Sequence, residues 1–186
     1  FGALTHVAHM DAKPGEGIIV MDPVYGHFSQ DIVKWGNQVL RCHLINDNGY
    51  YTINYDLLEE QASDPNTKLL IMAHGSNVCG AVQDAAAVGE ICRKHGIAFA
   101  LDVAQTAGHI DIDFEKVDCN RVGVIFGEGI GGLGALEDEM RAYSLNQENG
   151  PRFSPFLLTK MISDMTAGII SIKYGLKGPN YVTTSA

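Results

Sequence analysis

Three short apolar runs constrain this chain more than any other feature: residues 17–21 (GIIVM), 68–73 (KLLIMA) and 97–102 (IAFALD). Each is too short for a long helix and lacks the polar alternation of a strand with one wet face. Runs of this kind mark strands buried on both faces, as in parallel sheets. Segments with helical spacing separate them. Residues 25–35 read as a helix stopped by Gly36, residues 55–62 as a short helix, and residues 82–95 as an amphipathic helix closed by Gly96. Residues 3–12 have helical spacing up to Pro14-Gly15, and residues 38–45 return as a strand before a hairpin-like Asp47-Asn48-Gly49. Strand and helix alternating at short intervals predict an α/β fold, a parallel sheet with crossover helices. Functional groups in such sheets sit at the carboxyl ends of strands, where Asp22 and Asp102 fall.

After about Asp118 the pattern restarts. Residues 121–126 (RVGVIF) read as a strand, residues 127–134 as a glycine-rich turn, residues 135–145 and 161–175 as helices, and residues 181–185 as a last strand. The expected organisation is an amino-terminal lobe over residues 1–110, a junction over 111–118 and a smaller lobe over 119–186. The chain begins at Phe1, inside a helix-like stretch, and so reads as a piece of a longer protein.

Composition narrows the partners. Thirteen basic against 22 acidic residues give a formal charge of −9, which argues against binding a nucleic-acid backbone. No apolar run reaches the roughly 18 residues of a membrane helix, so no membrane partner is expected. Cys42, Cys79, Cys92 and Cys119 form no CxxC pair and no metal-like spacing with histidine. They read as reduced thiols of a cytoplasmic protein, with no metal site.

The first candidate constellation is His74-Gly-Ser-Asn77-Val-Cys-Gly80 with Asp102-Val-Ala-Gln105, each following a strand. A carboxylate at a strand end can keep a pyridine nitrogen protonated, while amide side chains hold a phenolic oxygen. Equally, Asp102 can cap the turn after its strand and Asn77 can shape the turn before Gly80.

Residues 74–108 resemble the class V aminotransferase and cysteine desulfurase group of fold-type I pyridoxal-phosphate enzymes. The stretches GEGIIVMDPVYGHF and NGYYTINYDLLEEQASDPNTKLLIM resemble the class I/II branch that holds the cystathionine β-lyase-like C–S lyases. The resemblance implies pyridoxal phosphate as cofactor. Asp102 would pair with the pyridine nitrogen and Gln105 would face the phenolic oxygen. Asn77 would contact that oxygen or a substrate carboxylate, and Tyr25 would stack on the ring. The family's Schiff-base lysine has no counterpart in context: Lys116, Lys160, Lys173 and Lys177 all lie outside the expected Ser-x-His-Lys-like setting. Cofactor binding is therefore expected to be weak or vestigial, and no catalytic residue is assigned.

Gly127, Gly129 and Gly132 satisfy G-x-G-x-x-G after a strand. A dinucleotide site would also need an acidic residue about 20 positions on, where the chain reads Asn149, Gly150, Pro151 and Arg152. NRVGVIFGEGIGGLGALEDE and GPRFSPFLLTKMISDMTAGIISIKYGLKGPNYVTTSA instead strongly resemble the N-terminal half of a β-ketoacyl-acyl-carrier-protein synthase, of the thiolase fold. In that family GPNYVTTSA leads into the acyl-accepting cysteine, which would be the residue after Ala186. None of the four cysteines sits in an elbow motif.

Three expectations follow. The chain is a remnant of a pyridoxal-phosphate-dependent lyase or transferase site, catalytically incompetent for want of its lysine. Alternatively it is a piece of a condensing enzyme. Alternatively it is a non-enzymatic composite without a site. Self-association through exposed apolar faces is expected in each case.

Overall fold

In the computed structural model of the chain, residues 7, 11–24, 26–111, 113, 118–150 and 152–184 are described. The chain divides into two compact units, Leu4–Ile112 and a second that contains Asp113–Ala186.

The first unit runs, in chain order, β1 (Gly17–Asp22), α1 (His27–Lys34), β2 (Gln38–His43), β3 (Ile45–Asp47), β4 (Tyr50–Thr52), α2 (Tyr55–Ser63), β5 (Thr67–Ala73), α3 (Ala85–His95) and β6 (Ala98–Asp102). Strands β2, β1, β5 and β6 pair in that order, all parallel. The α/β sheet with crossover helices is thus as the sequence predicts.

Its two central strands explain the apolar runs. Odd and even residues of β1 and β5 enter different cores. Ile19, Met21, Leu70 and Met72 pack with Leu58 and Ala62 of α2 and Val88 and Cys92 of α3. Ile18, Val20, Leu69 and Ile71 pack with Phe28 and Ile32 of α1 on the other face. Each such side chain contributes about 1.5–3 kcal/mol on leaving water, more than a helix cap at about 1 kcal/mol. Burial therefore sets where the elements lie, and caps set where they end. Asn54 Oδ1 accepts the N–H of Leu57 at 3.2 Å and starts α2, while Asp84 Oδ1 accepts that of Ala87 at 3.0 Å and starts α3. Gly96, at φ 68°, closes α3 in the left-handed region.

Two boundaries differ from the sequence expectation. The strand expected over residues 38–45 breaks at Leu44: β2 stays in the parallel sheet, whereas Ile45 pairs with Thr52 in an antiparallel hairpin. Its turn is Asn48-Gly49, at φ 50° and 94°, the geometry that makes Asn-Gly a hairpin signal. The helix expected from residue 82 begins at Ala85, because Val82 bridges Gly75 and Asp84 is the cap. Of the helix expected over residues 3–12, all but Val7, Asp11 and Ala12 lies outside the described residues.

The second unit contains β7 (Val124–Glu128), α4 (Leu133–Leu145), a 3₁₀ turn (Gln147–Asn149), α5 (Leu157–Met161), α6 (Asp164–Tyr174) and β8 (Asn180–Thr184), with β7 and β8 parallel. β7 starts three residues later than expected, because Arg121 is held in a turn by its N–H to the Asp118 carbonyl at 2.9 Å. Before β7 the backbone approaches the stretch before β8 closely: a Cβ on Gly178 would stand 2.6 Å from the Gly123 nitrogen. The long helix expected over residues 161–175 splits at Ile162-Ser163. There Gly132 donates its N–H to the Met161 carbonyl at 3.2 Å, and a Cβ at Gly131 or Gly132 would stand 2.0 Å from the oxygen of Met161 or Lys160, respectively. Among the described residues of this unit only Ala167 and Leu176 are buried apolar side chains. No helix among the described residues is long and apolar enough to cross a membrane.

On one face of the first unit, α2 and α3 are joined by charge. Glu59 Oε1 accepts from Lys94 Nζ and, at 2.9 Å, from His95 Nε2. The bond from Lys94, then that from His95, holds the Glu59 carboxyl below its ordinary value. A carboxylate favoured in the folded state adds stability above its unfolded pKa and loses it as pH falls through the folded one. Glu59→Gln is expected to lower the thermal midpoint at neutral pH, with the gap to the native chain closing below about pH 4. Unfolding curves for both chains across that range check this, and a gap that does not change with pH would refute it.

Candidate functional site

The carboxyl edge of the four-stranded sheet carries, in spatial order, His43 (β2), Asp22 (β1), His74 (one residue past β5) and Asp102 (β6). Open parallel sheets bind ligands outside this edge, where strand ends release side chains from the ladder.

At its left side Asp22 is already engaged. Its Oδ1 lies 3.5 Å from Arg41 Nη1 and its Oδ2 3.1 Å from His43 Nδ1. At its right side two loops meet. His74 donates its backbone N–H to the Asp102 carbonyl at 2.8 Å, and its Nδ1 lies 3.0 Å from Thr106 Oγ1. A Cβ on Gly75 would stand 2.8 Å from Thr106 Cγ2 and 3.6 Å from Gln105 Cβ, so the two loops touch where residue 75 has no side chain.

Ser76 shapes the first of these loops. Its hydroxyl oxygen accepts the N–H groups of Val78 and Cys79, both at 3.2 Å, and its own backbone bonds to Gly80 and Ala81, each at 2.9 Å. Gly80, at φ 70°, lets the chain double back. Gln83, buried, carries the loop into α3 and donates Nε2 to the Tyr51 carbonyl of β4 at 3.3 Å.

The proposed site residues take these places. Asp102 is half-buried at the end of β6, and Oδ1 accepts the N–H of Ala104 at 2.9 Å, so the turn-capping role is present. Its Oδ2 has no hydrogen-bond partner among the described residues and stays available to a ligand. Gln105 is exposed in the following turn, beside Gly75. Asn77 is exposed in the turn that Ser76 organises. Tyr25 lies outside the described residues. Asp102 and Gln105 are therefore brought to one place with His74, and Asn77 stands two residues beyond Gly75. The sequence reading placed His74 in the constellation without a role and missed Thr106. The available signal was a histidine directly after the KLLIMA strand and a threonine directly after Asp-x-x-Gln.

The described lysines of the first unit keep away from this edge. Lys13, Lys34, Lys68 and Lys94, at strand starts or ends of crossover helices, lie toward the amino edge. Lys34 pairs with Asp31, Lys68 with the Pro65 carbonyl and Lys94 with Glu59. In the second unit Lys160, Lys173 and Lys177 are exposed, and Lys116 lies outside the described residues. Among the described residues no cluster of three His, Cys, Asp or Glu could hold a metal. Two of the thiols are placed for packing: burial pushes Cys42 up to about 11 and Cys92 up to about 12.

A parallel sheet with helices on both faces and an acidic strand end of this kind is the architecture of fold-type I pyridoxal-phosphate enzymes. Residues 4–122 match the model of the family described as Aminotransferase class-V, and the chain belongs to that family. Residues 96–186 match the model of Beta-ketoacyl synthase, N-terminal domain, so residues 96–122 satisfy both. The chain is 31% identical over 103 residues to cystathionine beta-lyase PatB of Bacillus subtilis (strain 168), covering 54% of this chain and 27% of that protein. It is 37% identical over 90 residues to 3-oxoacyl-[acyl-carrier-protein] synthase 2 of Synechocystis sp. (strain ATCC 27184 / PCC 6803 / Kazusa), covering 47% and 21%. Among solved structures it is similar to cystalysin of Treponema denticola, which contains a pyridoxal 5'-phosphate cofactor, with a TM-score of 0.51 and 28% identity over 53% of this chain and 26% of that one. The chain spans only about a quarter of the length of these relatives.

The geometry gives Ser76 a stability role separate from any ligand. Ser76→Ala removes the acceptor of two backbone N–H groups in a turn whose Asn77, Val78 and Gly80 are exposed, so denaturant unfolding should show a loss of about 0.5–1.5 kcal/mol. A loss below a few tenths would show that water replaces the hydroxyl.

Proposed function

We propose that residues 4–112 are part of a pyridoxal-phosphate-binding lobe that holds the cofactor loosely, without a covalent bond, and is catalytically incompetent as it stands. The observation that carries this reading is Asp102, whose Oδ2 is unengaged at the carboxyl end of β6 while every described lysine of the unit lies toward the opposite edge.

The residues present fit a bound pyridoxal phosphate in part. Asp102 Oδ2 would accept the pyridine N–H, with its other oxygen fixed by Ala104, so the carboxylate cannot rotate away. Gln105, beside Gly75, would donate to the phenolic oxygen, and Asn77 to that oxygen or to a substrate carboxylate. Tyr25 would stack on the ring by the family resemblance. When bound, the cofactor supplies an electron sink for carbanionic charge. Among the described residues of this unit no amine stands at the carboxyl edge to hold it covalently, and a nucleophile or base of that kind is what a lyase or transferase of this fold needs.

A second reading is favoured by the beta-ketoacyl synthase match and by the parallel pair β7 and β8: residues 119–186 are a portion of a condensing enzyme. Its acyl-accepting thiol is not among the present cysteines. Cys42 lies in β2, Cys92 inside α3, and Cys79 and Cys119 in turns, so none stands at a helix start. A third reading, a composite without any site, is what the cofactor experiment tests.

Titration with pyridoxal phosphate should give saturable, weak binding that Asp102→Ala weakens about tenfold or more, as loss of a charge-assisted hydrogen bond implies. Borohydride should leave no lysine carrying a pyridoxyl group by mass spectrometry. A single modified lysine would overturn the incompetence, and absence of binding would leave the composite reading standing. Exposed apolar side chains at Ile130, Leu145, Phe156, Leu158, Ile169 and Ile172 support self-association. Sedimentation velocity should show mass rising with concentration, and a monomer throughout would remove that part of the proposal.

A further inference from the structure

We infer that Thr106 is a positioning residue that fixes His74 as its Nε2–H tautomer, so that His74 offers a hydrogen-bond donor to an anionic oxygen of a ligand at the carboxyl edge. The donor role rests on the site proposed above, whereas the tautomer rests on geometry alone.

The Thr106 side chain is 2% exposed, and its Oγ1 lies 3.0 Å from His74 Nδ1. Its methyl group is placed by Gly75, since any Cβ there would stand 2.8 Å from Thr106 Cγ2. With the methyl over Gly75, the hydroxyl faces the imidazole. That hydroxyl has one proton and two acceptors in reach: His74 Nδ1 at 3.0 Å and the Val103 carbonyl at 3.5 Å. The Val103 carbonyl already accepts the N–H groups of Thr106 at 2.9 Å and Ala107 at 2.8 Å, so both its lone pairs are in use. The hydroxyl proton therefore goes to Nδ1, and the ring's own proton resides on Nε2.

Among the described residues Nε2 has no hydrogen-bond partner. The ring is tied to Asp102 through the backbone, His74 N–H to the Asp102 carbonyl at 2.8 Å. The edge thus combines an acceptor, Asp102 Oδ2, with a donor, His74 Nε2–H. A ligand that satisfies both carries a ring N–H and an anionic oxygen, either a phenolate or a carboxylate.

Histidine ¹⁵N spectroscopy of the full chain tests this at a pH where the ring is neutral, with His74 assigned by its loss in His74→Gln. The native chain should show one tautomer, Nδ1 unprotonated and Nε2 protonated. Thr106→Ser should keep it, and Thr106→Val should give a mixture. A proton on Nδ1 in the native chain, or an unchanged ratio in Thr106→Val, overturns the inference. Should Thr106→Val fail to fold, the native and Thr106→Ser spectra still decide the tautomer. With pyridoxal phosphate as probe, Thr106→Val should bind about fivefold more weakly and Thr106→Ser within about twofold of native. Equal affinity of native and Thr106→Val overturns the donor role. Failure of the native chain to bind, with the spectra as expected, overturns the cofactor reading and leaves the tautomer standing.

Discussion

Burial of β1 and β5 on both faces at once is the constraint from which the first unit follows. Ile18, Val20, Leu69 and Ile71 leave water on one side, and Ile19, Met21, Leu70 and Met72 on the other. A sheet so apolar on both sides must be covered twice, which places α1 on one face and α2 and α3 on the other. Parallel pairing then requires each connection to cross from one end of the sheet to the other. Every strand accordingly ends at the same edge, and polar groups there are the first free of the ladder. The candidate site lies at this edge because the polar groups that follow the strands converge there.

The right-hand part of that edge is held by fixed bonds rather than by exposure. His74 and Gly75 join the loop after β5 to the loop after β6 through a backbone bond to Asp102, the buried Thr106 hydroxyl and a close contact where position 75 has no side chain. Such support matters because a ligand contact placed an ångström off loses most of its value. Asp22, by contrast, is occupied by Arg41 and His43, which explains why one strand-end aspartate is open to a ligand and the other is not.

The second unit obeys a different constraint. With Ala167 and Leu176 its buried apolar side chains among the described residues, close backbone contacts take the place of a core. Gly123 and Gly178 bring the approaches to β7 and β8 together, and Gly131 and Gly132 receive the end of α5. Of the glycines that spell a dinucleotide fingerprint, Gly132 thus serves packing, whereas a Cβ at Gly127 would meet nothing within 4 Å. Glu128 at the end of β7 keeps a buried carboxylate oxygen, Oε2, without a hydrogen-bond partner among the described residues, an environment hostile to a phosphate.

Much of this was already written in the chain. The apolar runs determined the buried strands, Asn48-Gly49 the hairpin turn, and Gly96 the end of α3, because each of these depends on local geometry and hydrophobic periodicity, whereas α3 was expected from residue 82 and starts only after its cap Asp84. Asp102 and Gln105 were legible as a strand-end pair. The break at Leu44, the split at Ile162-Ser163 and the meeting of His74 with Thr106 were not, since each depends on a segment distant in sequence. Periodicity states that a face must be buried or a turn must close; only the folded chain decides which carbonyl, methyl or neighbouring strand comes to fill it.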